Sequence, residues 1–222
     1  MTPEFWLNRW QRSELGWHED EINRHLAEHW PRLELPKGTA VLVPLCGKSL
    51  DMLWLASCGH RVLGVDISPL AAEQFFAESQ LEPRIEVRGP FQHYQVDEIS
   101  VMIGDFFDLS PEQVAGIAAV YDRASLIALP PEMRPRYARH LATLLPADVR
   151  SLLITLEYEQ SRMKGPPFAV VEPEVRALFE PNFQVETLSV FDALAESPRF
   201  RARGLDALDE RVYQLRRLPP NP

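Results

Sequence analysis

An α/β fold organised around a mostly parallel sheet is predicted by three features of this 222-residue sequence. A strand, tight turn, helix and second strand follow one another over residues 39–68, and an acid ends the second strand. The alternation of β-rich and helical stretches then continues almost to the last residue. Two buried strands joined by one short helix imply a right-handed parallel crossover, and ligands of such sheets lie over the carboxyl ends of the strands.

Taken in order, the chain opens with two amphipathic helical segments. Phe5, Trp6 and Trp10 recur at helical spacing, as do Ile22, Leu26 and Trp30, which predicts a helical cap before the first strand. Val41, Leu42 and Val43 form a short β-branched-rich run suited to a strand buried on both faces. The turn after it reads Pro44-Leu45-Cys46-Gly47-Lys48-Ser49. Leu50, Leu53 and Trp54 then repeat at helical spacing up to Gly59, a helix stop, and residues 61–67 read as the second strand.

Asp66 stands nineteen residues after Gly47 at the end of that strand. In nucleotide-binding α/β folds a carboxylate there accepts hydrogen bonds from the ribose hydroxyls of an adenosine group; in other proteins the same residue is a solvated turn acid. The turn lacks the repeated glycines that cradle a pyrophosphate. Gly47-Lys48-Ser49 does not complete a P-loop, because Leu42 occupies the place of the required earlier glycine. A phosphate-free adenosyl ligand fits this bulkier turn better.

Beyond Asp66, Ser68-Pro69 reads as an N-cap and first helical proline opening a helix through Phe75 and Phe76. A polar hairpin-like stretch precedes a third core strand, Ile99–Ile103, which ends in Gly104-Asp105-Phe106. Ser110 and Gln113 form a capping box. A fourth core strand, 117–121, delivers Asp122 and Arg123 to the carboxyl edge, where a guanidinium can orient a carboxylate or pair with an acid. Met133, Tyr137, Leu141 and Leu144 form a helix stripe, residues 151–156 a strand, and Val175, Leu178 and Phe179 another stripe. Two late strands lie near 183–191 and 211–218, with a turn at Gly165-Pro166-Pro167-Phe168.

Composition bounds the function. With 45% hydrophobic residues the chain can fill one sizeable core. A net charge of −9, with no basic stripe, disfavours nucleic acid; the short Arg199–Arg203 cluster reads as a solvated face. Two cysteines, Cys46 and Cys58, no visible signal peptide and no membrane-length apolar run predict a soluble cytoplasmic protein. Cys46 reads as a packing residue, since no histidine near it in sequence would activate it. His25-Leu26-Ala27-Glu28-His29 matches an H-x-x-E-H pattern, and we read it as packing beside the Leu26 and Trp30 stripe, with no metal expected.

The turn segment VLVPLCGKSLDMLWLASCGHRVLGVDIS closely resembles the cofactor segment of thiopurine S-methyltransferases. FWLNRW at 5–10 with GWH at 16–18, YDRASLIALP at 121–130 and GPPF at 165–168 resemble that family's other signatures in the same order. The resemblance spans roughly residues 4 to 213. It implies a Rossmann-like class I methyltransferase: a mostly parallel seven-stranded sheet with one antiparallel edge strand, helices on both faces and an N-terminal helical cap. The expected organisation is one domain over 1–222, with the cap at 1–38, the core at 39–218 and a frayed tail at 219–222.

The resemblance further implies S-adenosyl-L-methionine as cofactor, contacted by Trp10, Leu45, Asp66 and Arg123, with Asp105 and Phe106 flanking the adenine. Trp17 lines the acceptor pocket, where relatives usually carry Phe. Relatives commonly carry Glu in place of Asp66. The reaction is an in-line attack on the methyl carbon by a thiol, such as a thiopurine, that ionises near neutral pH. No residue is therefore assigned as catalytic. Open alternatives are selenium or tellurium species or aliphatic thiols as acceptors, and a non-catalytic cofactor-binding protein. The expected partner is a small-molecule thiol or chalcogen acceptor, with no nucleic acid, no membrane and a monomeric state.

Overall fold

The computed structural model describes residues 2–219; apart from Pro219, the tail expected to fray lies outside them. Nine strands are present among the described residues rather than seven. The chain groups into two compact units, residues 1–121 and 122–222.

The first unit opens with α1 (Pro3–Gln11) and α2 (Arg24–His29). The second expected helix is shorter than the Ile22, Leu26 and Trp30 spacing suggests. Asn23 caps it, its side chain accepting from His25 N–H and Leu26 N–H at 3.0 and 3.3 Å, so Ile22 falls outside. There follow β1 (Ala40–Pro44), α3 (Asp51–Ser57), β2 (Arg61–Asp66), α4 (Pro69–Glu78), β3 (Arg84–Arg88), β4 (Phe91–Val96), β5 (Ile99–Ile103) and β6 (Ile117–Arg123). The strand order in this unit is β3-β4-β5-β2-β1-β6. Pairs β5–β2, β2–β1 and β1–β6 are parallel, and β1 is buried along nearly its whole length, as its β-branched run predicts.

The polar stretch before β5 supplies the two strands missing from the expected count. β3 and β4 form a hairpin that pairs antiparallel, β4 against β5. Only Phe91 and Tyr94 of β4 are buried, and Ile85 and Val87 of β3 are exposed. Ile85 and Val87 alternate with charged residues as a strand's would, but they are exposed and mark no buried face.

The second unit contains α5 (Arg134–Leu144), β7 (Arg150–Glu157), α6 (Glu172–Phe179), β8 (Phe183–Asp192), α7 (Pro198–Ala202) and β9 (Asp209–Arg217). β9 pairs antiparallel with both β7 and β8. The single antiparallel edge strand is thus corrected to antiparallel pairing in both units. In the first unit the physical reason is connectivity: short links such as Gly89-Pro90 can only return the chain alongside itself, whereas parallel pairing needs a crossover. Among the described residues no helix is long and apolar enough to cross a membrane.

One close approach holds the first unit's core under the turn after β1. A Cβ at Gly64 in β2 would stand 2.7 Å from Cys46 Sγ and 2.8 Å from Met52 Sδ. Gly64→Ala is expected to cost about 1–3 kcal/mol through overpacking. Urea unfolding checks this, and an unchanged midpoint would show that Cys46 can move aside.

Candidate cofactor site

The turn following β1 is built on an unusual backbone. Leu45 takes the left-handed conformation with φ 48°, and so does Gly47 with φ 53°. A branched side chain at positive φ is uncommon and marks a position held by its surroundings, often at a ligand site. Leu45 is half-buried, whereas Cys46 is buried. Burial, with Asp66 nearby, pushes the Cys46 thiol well above its ordinary pKa, so the sulfur stays a thiol and packs rather than attacks.

Asp66 is 7% exposed and faces this turn. Its Oδ2 accepts from Gly47 N–H at 2.8 Å and its Oδ1 from Ser68 N–H at 2.9 Å. These bonds explain why a short acid closes the loop: it ties the end of β2 to the start of the turn. Burial pushes its pKa up to about 6, opposed by the Ser68, Gly47 and Ile67 amides. An ionised carboxylate has about four acceptor positions, so acceptor capacity remains for further donors. Beside it the Ser68 Oγ is buried without a hydrogen-bond partner among the described residues. Ser68 takes the N-cap place of α4, yet its side chain does not cap the helix. Lys48 pairs with Glu78 at 2.6 Å, which engages the lysine of the false P-loop.

The raised pKa fixes a sign. The folded chain keeps the Asp66 proton where the unfolded chain has lost it. The stability from this group is therefore fully present below the ordinary carboxylate pKa and is lost as pH rises through about 6. Relative to Asp66→Asn, the unsubstituted chain is expected to lose about 2–3 kcal/mol between pH 4 and pH 6.5. Denaturant unfolding across that range checks this; parallel curves for the two proteins would contradict it.

The aromatic cap lies over the turn. A Cβ built on Gly47 would meet Trp10 Cζ2 at 3.5 Å and Trp17 Nε1 at 3.6 Å. Trp10 is 3% exposed and Trp17 half-buried. Their rings meet edge-to-face at 6.0 Å, and Trp6 packs on Trp17 at 5.3 Å, a favoured aromatic arrangement. The structure thus gathers Trp10, Trp17, Leu45 and Asp66 at one turn.

Sequence reasoning missed what holds the cap there. Asp51, at the start of α3, accepts from Asn23 N–H at 2.8 Å and from Tyr121 O–H at 2.9 Å. Trp30 Nε1–H donates to His60 Nε2 at 3.0 Å. An acid in a first helical turn is visible in sequence as a dipole partner; its link to a tyrosine seventy residues away is not. Asp105 accepts from Phe107 N–H at 2.9 Å and caps the short turn that buries Phe106.

In the second unit, Arg123 ends β6 half-buried, and Ala124 turns the chain at φ 66°. Asp122 is buried and accepts from Tyr137 O–H at 2.6 Å. Burial raises the pKa of both groups. The 165–168 turn is firmly held: Phe168 N–H donates to Ile127 O at 2.7 Å and Tyr158 O–H to Pro167 O at 2.6 Å. The buried Arg134 guanidinium lies 5.9 Å from the Phe168 ring and pairs with Glu174 at 2.7 Å. Arg134 gives no periodic signal in sequence, since it is a charged residue on a helix's inner face.

The donor set suits an adenosyl group: spare carboxylate acceptors, a partnerless buried hydroxyl and a flat aromatic wall at one turn. Comparison with known proteins points the same way. A solved S-adenosylmethionine-dependent methyltransferase from Anabaena variabilis is 15% identical, covers 97% of this chain and 94% of its own, and superposes with a TM-score of 0.67. A Burkholderia thailandensis 1,6-didemethyltoxoflavin-N1-methyltransferase, solved with S-adenosylhomocysteine, is 18% identical over 97% and 87% of the two chains, with a TM-score of 0.66. These likenesses identify the fold. A thiopurine S-methyltransferase of Pseudomonas fluorescens is 50% identical over 97% of this chain and 99% of its own. The profile of the same family, thiopurine S-methyltransferase, matches residues 1–218. By this profile match over nearly the whole chain and this identity, the chain belongs to the thiopurine S-methyltransferases.

Proposed function

We propose that this protein transfers the methyl group of S-adenosyl-L-methionine to the sulfur of an aromatic or heterocyclic thiol such as a thiopurine. The observation that carries the reading is the meeting of Trp10 and Trp17 over Gly47, the residue whose N–H is held by Asp66, in a chain of this family. In this reading Asp66 accepts from the ribose hydroxyls, Leu45 and Trp10 pack against the adenosyl group, and Trp17 faces the acceptor. Arg123 is carried over as a cofactor contact on the family resemblance alone.

The bound cofactor supplies an electrophilic methyl carbon on a sulfonium. The chain supplies position and dryness. Trp10 and Trp17 exclude water and present a weakly polar wall, which favours a reaction in which thiolate and sulfonium charges disperse. A thiol that ionises near neutral pH needs no general base, and Cys46, kept protonated by burial, takes no covalent part. We further read the chain as one monomeric, cytoplasmic methyltransferase domain acting on a small molecule; the −9 net charge supports the exclusion of nucleic acid.

Incubation with methyl-labelled S-adenosyl-L-methionine and a panel of thiopurines, aliphatic thiols, selenite and tellurite tests this. Label on the thiopurine sulfur in preference to the other acceptors is expected. Cofactor binding without transfer to any acceptor would overturn the enzymatic reading, and preference for a chalcogen would overturn the acceptor.

A further inference from the structure

The cap carries a side-chain cluster that methyl transfer does not use. His25, Glu28 and His29 occupy positions i, i+3 and i+4 of α2, so they share one helix face. One nitrogen or oxygen from each lies within 4.8 Å of the other two. The imidazole rings stand nearly parallel, 6.2 Å apart between centroids and 19° in tilt. His29 Nε2 is 3.7 Å from Glu28 Oε1. Both imidazoles are buried, while the Glu28 side chain is 60% exposed.

We propose that His25, Glu28 and His29 form a binding site for a divalent first-row transition-metal ion of the zinc class, with its fourth position open to solvent on the Glu28 side. Two imidazoles and a carboxylate are the donor set that zinc, cobalt and nickel accept in three-ligand sites. Metal–ligand bonds of about 2.0–2.2 Å in tetrahedral geometry set donors roughly 3.3–3.5 Å apart. His29 Nε2 and Glu28 Oε1 are already 3.7 Å apart and all three donors lie within 4.8 Å of one another, so side-chain rotation closes the cluster. The backbone beneath is fixed at both ends: Asn23 caps α2 and is held by Asp51, and Trp30, which follows the helix, is held by His60. A rigid helix presenting paired histidines lowers the entropy lost on coordination.

The charges around the cluster are mixed. Burial lowers the His29 pKa, with Arg32 and His25 acting in the same direction and Glu28 against them.

Chelator-treated full-length protein titrated with Co²⁺ and then Zn²⁺ tests the site by a readout separate from methyl transfer. One Co²⁺ per chain is expected, with the visible absorption of a four-coordinate nitrogen and oxygen site, displaced by Zn²⁺ and accompanied by a rise in melting temperature. Glu28→Gln, a surface change that leaves the fold intact, is expected to weaken binding at least about tenfold. His25→Gln is expected to abolish the absorption. No binding by the unsubstituted protein, or binding that both variants retain, would overturn the proposal.

Discussion

Asp51→Ala is expected to lower the free energy of unfolding by about 3–5 kcal/mol. The carboxylate is 1% exposed and accepts two hydrogen bonds, from Asn23 N–H at 2.8 Å and Tyr121 O–H at 2.9 Å. Each bond to a carboxylate is worth about 1.5–3 kcal/mol, and truncation leaves two buried donors with that acceptor gone. The consequence extends beyond stability, because Asn23 also caps α2. Loosening this point frees the segment between α1 and α2 that carries Trp17. Tyr121→Phe removes only one of the two bonds and is expected to cost about 1.5–3 kcal/mol. Urea unfolding of both variants separates the contributions. An Asp51→Ala protein as stable as the parent would show that the network does not anchor the cap.

Asp66→Ala is expected to weaken S-adenosyl-L-methionine binding by about 1.5–3 kcal/mol, roughly ten- to 150-fold, measured by calorimetry at pH 7.5. Above its pKa of about 6 the group is ionised and offers its remaining acceptor positions to ribose hydroxyls. Affinity is accordingly expected to fall as pH drops below 6. Because Asp66 also holds Gly47 N–H, Asp66→Asn is the necessary companion: its carbonyl can keep one of the two main-chain bonds while its charge is gone. Equal affinity in all three proteins would remove Asp66 from the cofactor site.

Several pieces of this architecture are readable in the residue order because they depend on local chemistry. The β-branched run at 41–43 becomes β1, the acid at the end of the next β-rich stretch ends β2, and the capping box at Ser110 is present. The burial of Cys46 follows the same logic, an unactivated small residue beside a core strand. The hairpin at 84–96 is read as polar rather than as part of the sheet. Its first strand alternates Ile85 and Val87 with charged residues, but both are exposed, and the hairpin joins β5 only because the edge of that strand is there to pair with. Ser68 is the converse case: the sequence marks an N-cap, and the position is right. Its hydroxyl is nonetheless left out of the helix, while its N–H serves Asp66.

The same division runs through the cofactor turn and the cap. By itself the sequence determined the kinds of residue available: an acid at a strand end, a lone glycine in a bulky turn, tryptophans ahead of the first strand, and two histidines four apart. Only the tertiary structure decided that Trp10 and Trp17 meet over Gly47, that Asp51 joins Asn23 to Tyr121, and that His25, Glu28 and His29 bring their donor atoms together. The physical reason is range. Backbone preference and burial periodicity act over a few neighbours and leave a signature in composition, whereas a hydrogen bond or ring contact between residues far apart exists only once the packed core has fixed where each main chain runs.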